Sequence, residues 1–151
     1  MQPDFQLLSV TRQNIAKLCS AFSLDQLNKI PEGFNNNLAW NAGHVVATQH
    51  LLTYGLSGMP LPLASDFVEA YRKGSRPQGA ISPAEWAFIH DQLSASVEQL
   101  KTDWGQLSGA TFKAYPTSYG ISLNSLNEAF IFNQTHEAMH FGTMLAIRKL
   151  I

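Results

Sequence analysis

The chain has 151 residues, 45% of them apolar and only 14% charged, which suits one domain with its own hydrophobic core and excludes a disordered polymer. A formal charge of −1, with Lys and Arg scattered, gives no electrostatic case for nucleic acid or an anionic membrane as partner. No apolar run approaches the roughly 18–20 residues of a membrane span, and so few charges point to buried area beyond one core, such as a subunit interface.

The opening MQPDFQLLSVTRQN has no basic stretch leading into an apolar one, so no secretory signal is expected. A first helix is predicted from about Asp4 to Phe22, with Leu8, Ile15, Leu18 and Phe22 at helical spacing. The single cysteine, Cys19, lies on that apolar stripe. It can form no disulfide within the chain, and an inert place in the core is expected of it in a cytoplasmic protein. Ser23 to Gln26 reads as a capping box for a short helical turn that Pro31 ends.

A second long helix is predicted from Leu38, capped by Asn37, to about Leu56, where Gly55, Gly58, Pro60 and Pro62 stop it. It carries Trp40-Asn41-Ala42-Gly43-His44-Val45-Val46, a histidine among apolar and small residues. Gly43 costs a helix roughly 1 kcal/mol against alanine, which suggests close approach of another backbone or a ligand. Trp40, one turn before His44, stands where it would wall a site. His50 lies six residues past His44, about 240° around the helix, so it is expected at the surface or an interface.

The stretch from Ser57 to Ile81 is long, rich in Gly and Pro, and holds one short docked helix suggested by Phe67, Val68 and Tyr71. Ser82-Pro83-Ala84-Glu85 is a strong helix start, and Trp86, Ile89, Leu93, Val97, Leu100 and Trp104 continue the third helix. His90 on that helix is a candidate to back up a site elsewhere. The segment from Gly105 to Leu123 contains one extended piece, Thr111 to Tyr115.

The last helix opens at a further capping box, Ser125 to Glu128, and runs to the end of the sequence. It contains His136-Glu137-Ala138-Met139-His140, a literal match to the H-E-x-x-H string of zinc proteases. The extended form of that motif needs Gly at 143 and His at 146. Thr143 and Ala146 stand there, and Phe141 to Ile151 simply continue the helix, so the protease reading fails. His136 and His140 nonetheless sit one turn apart on one face, where both imidazoles can reach one ion. Two readings fit the pair: ligands inside a bundle, or a polar pair on a helix surface. His44 likewise reads as a third ligand or as a core histidine satisfied by hydrogen bonds. Glu137, about 100° from His136, is expected at a helix seam or the surface. Asn133 and Thr143 lie near the histidine stripe, where either would bond a ligand imidazole or simply add polarity to the packing.

The pattern Leu24-Asp25-Gln26-Leu27, then Leu38-Ala39-Trp40-Asn41-Ala42-Gly43-His44, then Ser125 and His136-Glu137-Ala138-Met139-His140-Phe141-Gly142, resembles the DinB-like family over nearly the whole chain. The resemblance implies an all-α, four-helix bundle with long connections in a single domain over 1–151, of up-up-down-down style, that often dimerises. It implies a metal triad of His44, His136 and His140 with open positions for water or substrate. It also implies, for the members whose activity is known, thiol-dependent S-transferases and isomerases using low-molecular-weight thiols, others being described as metal-dependent hydrolases. The expectation is a cytoplasmic homodimer that binds zinc, nickel, iron, cobalt or manganese, zinc or nickel foremost, and acts on a small-molecule substrate. A non-enzymatic metal- or ligand-binding bundle is the alternative. A substrate-sized cavity over an open metal position, partly lined by the segment from Ser57 to Ile81, would favour the enzyme; a fourth protein ligand would favour the structural role.

Overall fold

A computed structural model describes residues 3–151. Six α-helices form among them: α1 (Gln6–Cys19), α2 (Leu24–Asn28), α3 (Leu38–His50), α4 (Ser65–Tyr71), α5 (Pro83–Ser108) and α6 (Leu126–Ile147). The helix starts follow from side-chain caps. Ser23 and Ser82 each close a full capping box, with Gln26 and Glu85 respectively; Asn37 and Ser125 accept from the backbone N–H of Trp40 and Glu128. Pro83 occupies the first turn of α5, where its missing N–H costs nothing.

The four long helices α1, α3, α5 and α6 form the bundle, and their directions follow from the residues that meet. Phe5 packs on Trp104 while Ser20 reaches His90, so α1 and α5 are antiparallel. Phe5 also meets Phe130 and Arg12 meets Glu137, so α1 and α6 run the same way. Gln49 bonds the Ser96 carbonyl and Tyr54 bonds Asp103, so α3 and α5 are parallel, while α3 opposes α6 through His44 and His136. The order is therefore up-down-down-up, which corrects the up-up-down-down order the resemblance implied. Parallel α3 and α5 require the chain to return along the bundle between them, and the long segment carrying α4 is that crossover.

Every residue of α3 except Thr48 is buried. That explains its apolar and small composition on all sides: α2 and α4 cover it as well as α5 and α6. Beyond His50 the helix widens into a π turn, Leu51–Gly55, a feature that often marks functional sites. The extended stretch expected at Thr111 to Tyr115 meets a strand only at Tyr115; residues 111–114 are irregular, and the extended backbone that forms is a small hairpin further along. Tyr115–Pro116 pairs antiparallel with Ser122–Leu123, turning at Gly120 with φ 96°.

The core has two apolar halves with a polar layer between them. One half gathers Ile15, Leu18, Leu38, Val45, Leu93 and Met144; the other gathers Phe5, Leu8, Val97, Leu100, Trp104 and Phe130. Between them lies Arg12, buried and bonded to all three other long helices. It forms a bidentate pair with Glu137 at 2.6 and 2.8 Å, and donates to Gln49 Oε1, the Val45 carbonyl and Ser96 Oγ. Asn133 Nδ2 donates to the same carboxylate at 2.7 Å. Glu137 is thus fully buried in an ion pair between α6 and α1, and of the two positions expected of it, seam or surface, the surface one is wrong. Its stripe, Phe130-Asn133-Glu137-Met144, shares the helix's buried face, away from the two histidines.

Cys19 is buried in the core as expected, and burial pushes its thiol up to about 12. No helix among the described residues is long and apolar enough to cross a membrane.

Candidate metal centre

The bundle brings His44, His136 and His140 together. One ring nitrogen from each lies within 4.8 Å of the others, and His44 Nε2 is 3.2 Å from His136 Nε2. Ligands about 2.0–2.1 Å from one ion are themselves roughly 3 Å apart, so the closest pair already has ligand spacing. The one-turn separation on α6 stacks His136 over His140 with ring centroids 4.5 Å apart, and His44 on antiparallel α3 faces both, at 5.1 and 4.5 Å.

Hydrogen bonding fixes which nitrogens are available. The Tyr71 carbonyl accepts at 2.6 Å from His44 Nδ1, which must therefore carry the proton, leaving the Nε2 lone pair toward the cluster. Asn41 directs its amide Nδ2 at two acceptors, Asn36 Oδ1 and the Asn37 carbonyl, so its Oδ1 faces His140 and accepts from Nδ1 at 2.8 Å. His140 likewise presents an Nε2 lone pair. The third ring, His136, has a buried Nδ1 with no partner among the described residues. Nitrogens bearing lone pairs and converging in a buried place repel one another unless a proton or a cation sits between them. The donor set is that of a borderline metal ion, and anchoring of the far ring nitrogen is the usual arrangement behind a histidine ligand.

The electrostatics agree. Burial lowers the pKa of all three imidazoles, to about 3 for His136 and about 4 for His140. Those values include a smaller lowering by neighbouring histidines at both and by Arg12 at His136; at His44 the Tyr71 carbonyl partly opposes burial. All three are therefore neutral at neutral pH, the form in which a histidine binds a metal.

Trp40 walls the cluster as expected, stacked on His44 at 4.5 Å and 12°. Gly43 has a different reason from the backbone or ligand approach expected: a Cβ there would lie 2.5 Å from Cδ1 of the Tyr71 ring. The glycine lets α4 dock closely enough for the Tyr71 carbonyl to reach His44. Asn41, the Tyr71 carbonyl and Thr48, whose hydroxyl is 3.4 Å from His44 Nε2, are site residues that the sequence reading missed. Asn41 had a legible signal, a polar residue one turn before His44 in an otherwise apolar run. A backbone carbonyl from a separate element had none.

Other candidates lie elsewhere. His50 is buried, not at a surface: its Nδ1 donates to the Val46 carbonyl at 2.9 Å and its ring stacks on Tyr54. His90 is half-buried beside Trp86 and Ser20, far from backing up the triad. Asn133 serves Glu137, and Thr143 bonds the Met139 carbonyl, so neither touches a ligand imidazole.

The three histidines form the floor of a cavity of about 700 Å³. The π turn supplies one wall with Leu51 and Leu52, joined by Leu56 just past its end; α6 supplies Met139; the crossover supplies Lys73 and Gly74; and the hairpin region supplies Lys113, Tyr115, Thr117 and Ser118. No Cys, Asp, Glu or fourth His joins the cluster among the described residues.

Compared with known families, the chain matches the DinB superfamily over residues 7–144. That span is most of the chain, and the protein belongs to this superfamily. No curated protein matches the chain.

Proposed function

Proceeding from membership of the DinB superfamily, we propose that the protein binds one divalent metal ion through His44, His136 and His140. We propose further that it is a metal-dependent enzyme acting on a small molecule, either a thiol-dependent S-transferase or a hydrolase. The observation that carries this reading is three neutral imidazoles converging in a cavity of about 700 Å³ with no fourth protein ligand beside them among the described residues. Structural sites close around their ion, whereas catalytic ones keep a position open. The cavity's size is that of a small-molecule site, and its lining by part of the crossover favours an enzyme over a purely structural bundle.

A divalent ion held there supplies a lowered pKa to a thiol or water and so a nucleophile at neutral pH. The chain's own residues do the rest. Asn41 and the Tyr71 carbonyl hold two imidazoles in the tautomer that leaves Nε2 free, and Trp40 and the leucines of the π turn shield the floor from water. Thr48 Oγ1, beside His44 Nε2, is placed to donate a hydrogen bond to a group bound at the floor. Few charged residues, and the exposed Leu7, Val10 and Ile131 on α1 and α6, support a homodimer; the lone buried cysteine suits the cytoplasm.

Three imidazoles accept zinc, nickel, iron, cobalt or manganese, so elemental analysis has to cover all five. The purified protein should carry one divalent ion per chain, and His44→Ala should lose most of it while keeping its helical circular dichroism. Full stoichiometric metal in His44→Ala would sink the triad. Turnover is tested with a panel of biological thiols and electrophiles, and should disappear on chelation and return with metal.

A further inference from the structure

We infer that the cavity above the histidines selects small anions, with a carboxylate-type head and an apolar body, and that Lys73 and Lys113 read the charge. This rests on the proposed site for its location. Its evidence is the composition of the cavity wall.

Among the described residues the lining contains no Asp or Glu, although the chain as a whole carries one net negative charge. Its formally charged side chains are Lys73 and Lys113, both exposed, and neither belongs to an ion pair among the described residues. Elsewhere Arg72, Lys101 and Arg12 are each matched to a glutamate. An uncompensated positive rim over a floor of neutral histidines gives the cavity a positive potential with or without a metal ion, and low-dielectric walls focus it.

Both lysines stand on backbone that is held in place. The Lys113 N–H donates to the Leu56 carbonyl at 2.6 Å, tying it to the end of the π turn. Lys73 lies in a turn closed by Ser75 N–H to the Arg72 carbonyl, and Ser75 Oγ in turn accepts from Trp40 Nε1 at 3.2 Å. The rim is thus fixed to the same elements that position His44. Trp40, Leu52 and Met139 line the same cavity and offer apolar contact. A ligand matching all three features has an anionic head near the lysines and an apolar middle, and it directs its other end toward the histidines.

The probes are cinnamate and its neutral amide, cinnamamide, titrated calorimetrically into metal-loaded and chelated protein, with Trp40 fluorescence as a second readout. Cinnamate should bind roughly fivefold more tightly than the amide, as expected for two rim charges at exposed positions. The preference should shrink as salt is raised from about 0.05 to 0.5 M. In chelated K73Q/K113Q the preference should vanish while cinnamamide affinity stays unchanged, and in chelated K73E/K113E it should reverse; metal content before chelation should match that of the native protein. Equal binding of the two probes by the native protein, or an undiminished preference in K73Q/K113Q, would overturn the inference. If the protein holds no metal, the metal reading fails by itself. The anion preference then stands or falls on the chelated-protein titration.

Discussion

Glu137 sits between two candidate ligands in sequence and on a different face of the helix from both. A residue next to His136 is rotated about 100° around α6, and that rotation carries its carboxylate into the bundle interior against Arg12. A protease-like base would have to stand in the cavity, and Glu137 does not line it. Removing one partner of a buried ion pair strands the other charge. Glu137→Ala is therefore expected to destabilise the fold by about 3–5 kcal/mol, read from urea denaturation at pH 7.5. Arg12→Met combined with Glu137→Leu should recover most of that loss. Native-like stability in Glu137→Ala, together with lost turnover, would restore the catalytic reading of this residue.

At the scale of elements, the decisive contact is α4 against α3. Helix propensity alone favours Gly43→Ala by roughly 1 kcal/mol, but the added Cβ would lie 2.5, 2.6 and 2.8 Å from three carbons of the Tyr71 ring. Relieving that overlap has to move α4, and with it the carbonyl that fixes the His44 tautomer. Overpacking of this kind costs about 1–3 kcal/mol, so the packing term outweighs propensity. Gly43→Ala should lower the melting temperature and weaken metal affinity by about 10–100-fold, measured by competition with a chromophoric chelator. A variant with raised stability and unchanged affinity would show that the α4 contact does not position the histidine.

For the whole molecule, pH acts through histidines that the fold keeps neutral. Burial holds His50 and His140 at about 4 and His136 at about 3, against about 6.5 in the unfolded chain. Between those values the unfolded chain takes up protons that the native state refuses, so stability rises with pH there. Metal-free protein should thus be fully stable above about pH 6.5 and lose stability steadily as pH falls toward 4. Urea midpoints at pH 7.5, 6.0 and 5.0 test this; a midpoint unchanged across the series would contradict it. His50→Phe should reduce the slope, since one of the four histidines that burial lowers (His44, His50, His136 and His140) is then gone. Protons also compete for the Nε2 lone pairs, so bound metal should be released over the same fall in pH.

The helices, their caps, the one-turn histidine pair on α6 and the candidacy of His44 were legible along the chain. Those are local properties: a capping serine or asparagine needs only its own first turn, and an i,i+4 pair needs only the helix. Arg12 drew no expectation and Glu137 was expected at a seam or the surface. Their pairing across 125 residues was not legible, because only the parallel arrangement of α1 and α6 brings them together. Helix direction, the burial of His50, the Tyr71 carbonyl behind His44 and the lysine rim were decided by the tertiary structure alone. Each depends on which distant backbone arrives beside a residue, and that is set by the global packing of the bundle rather than by any local pattern.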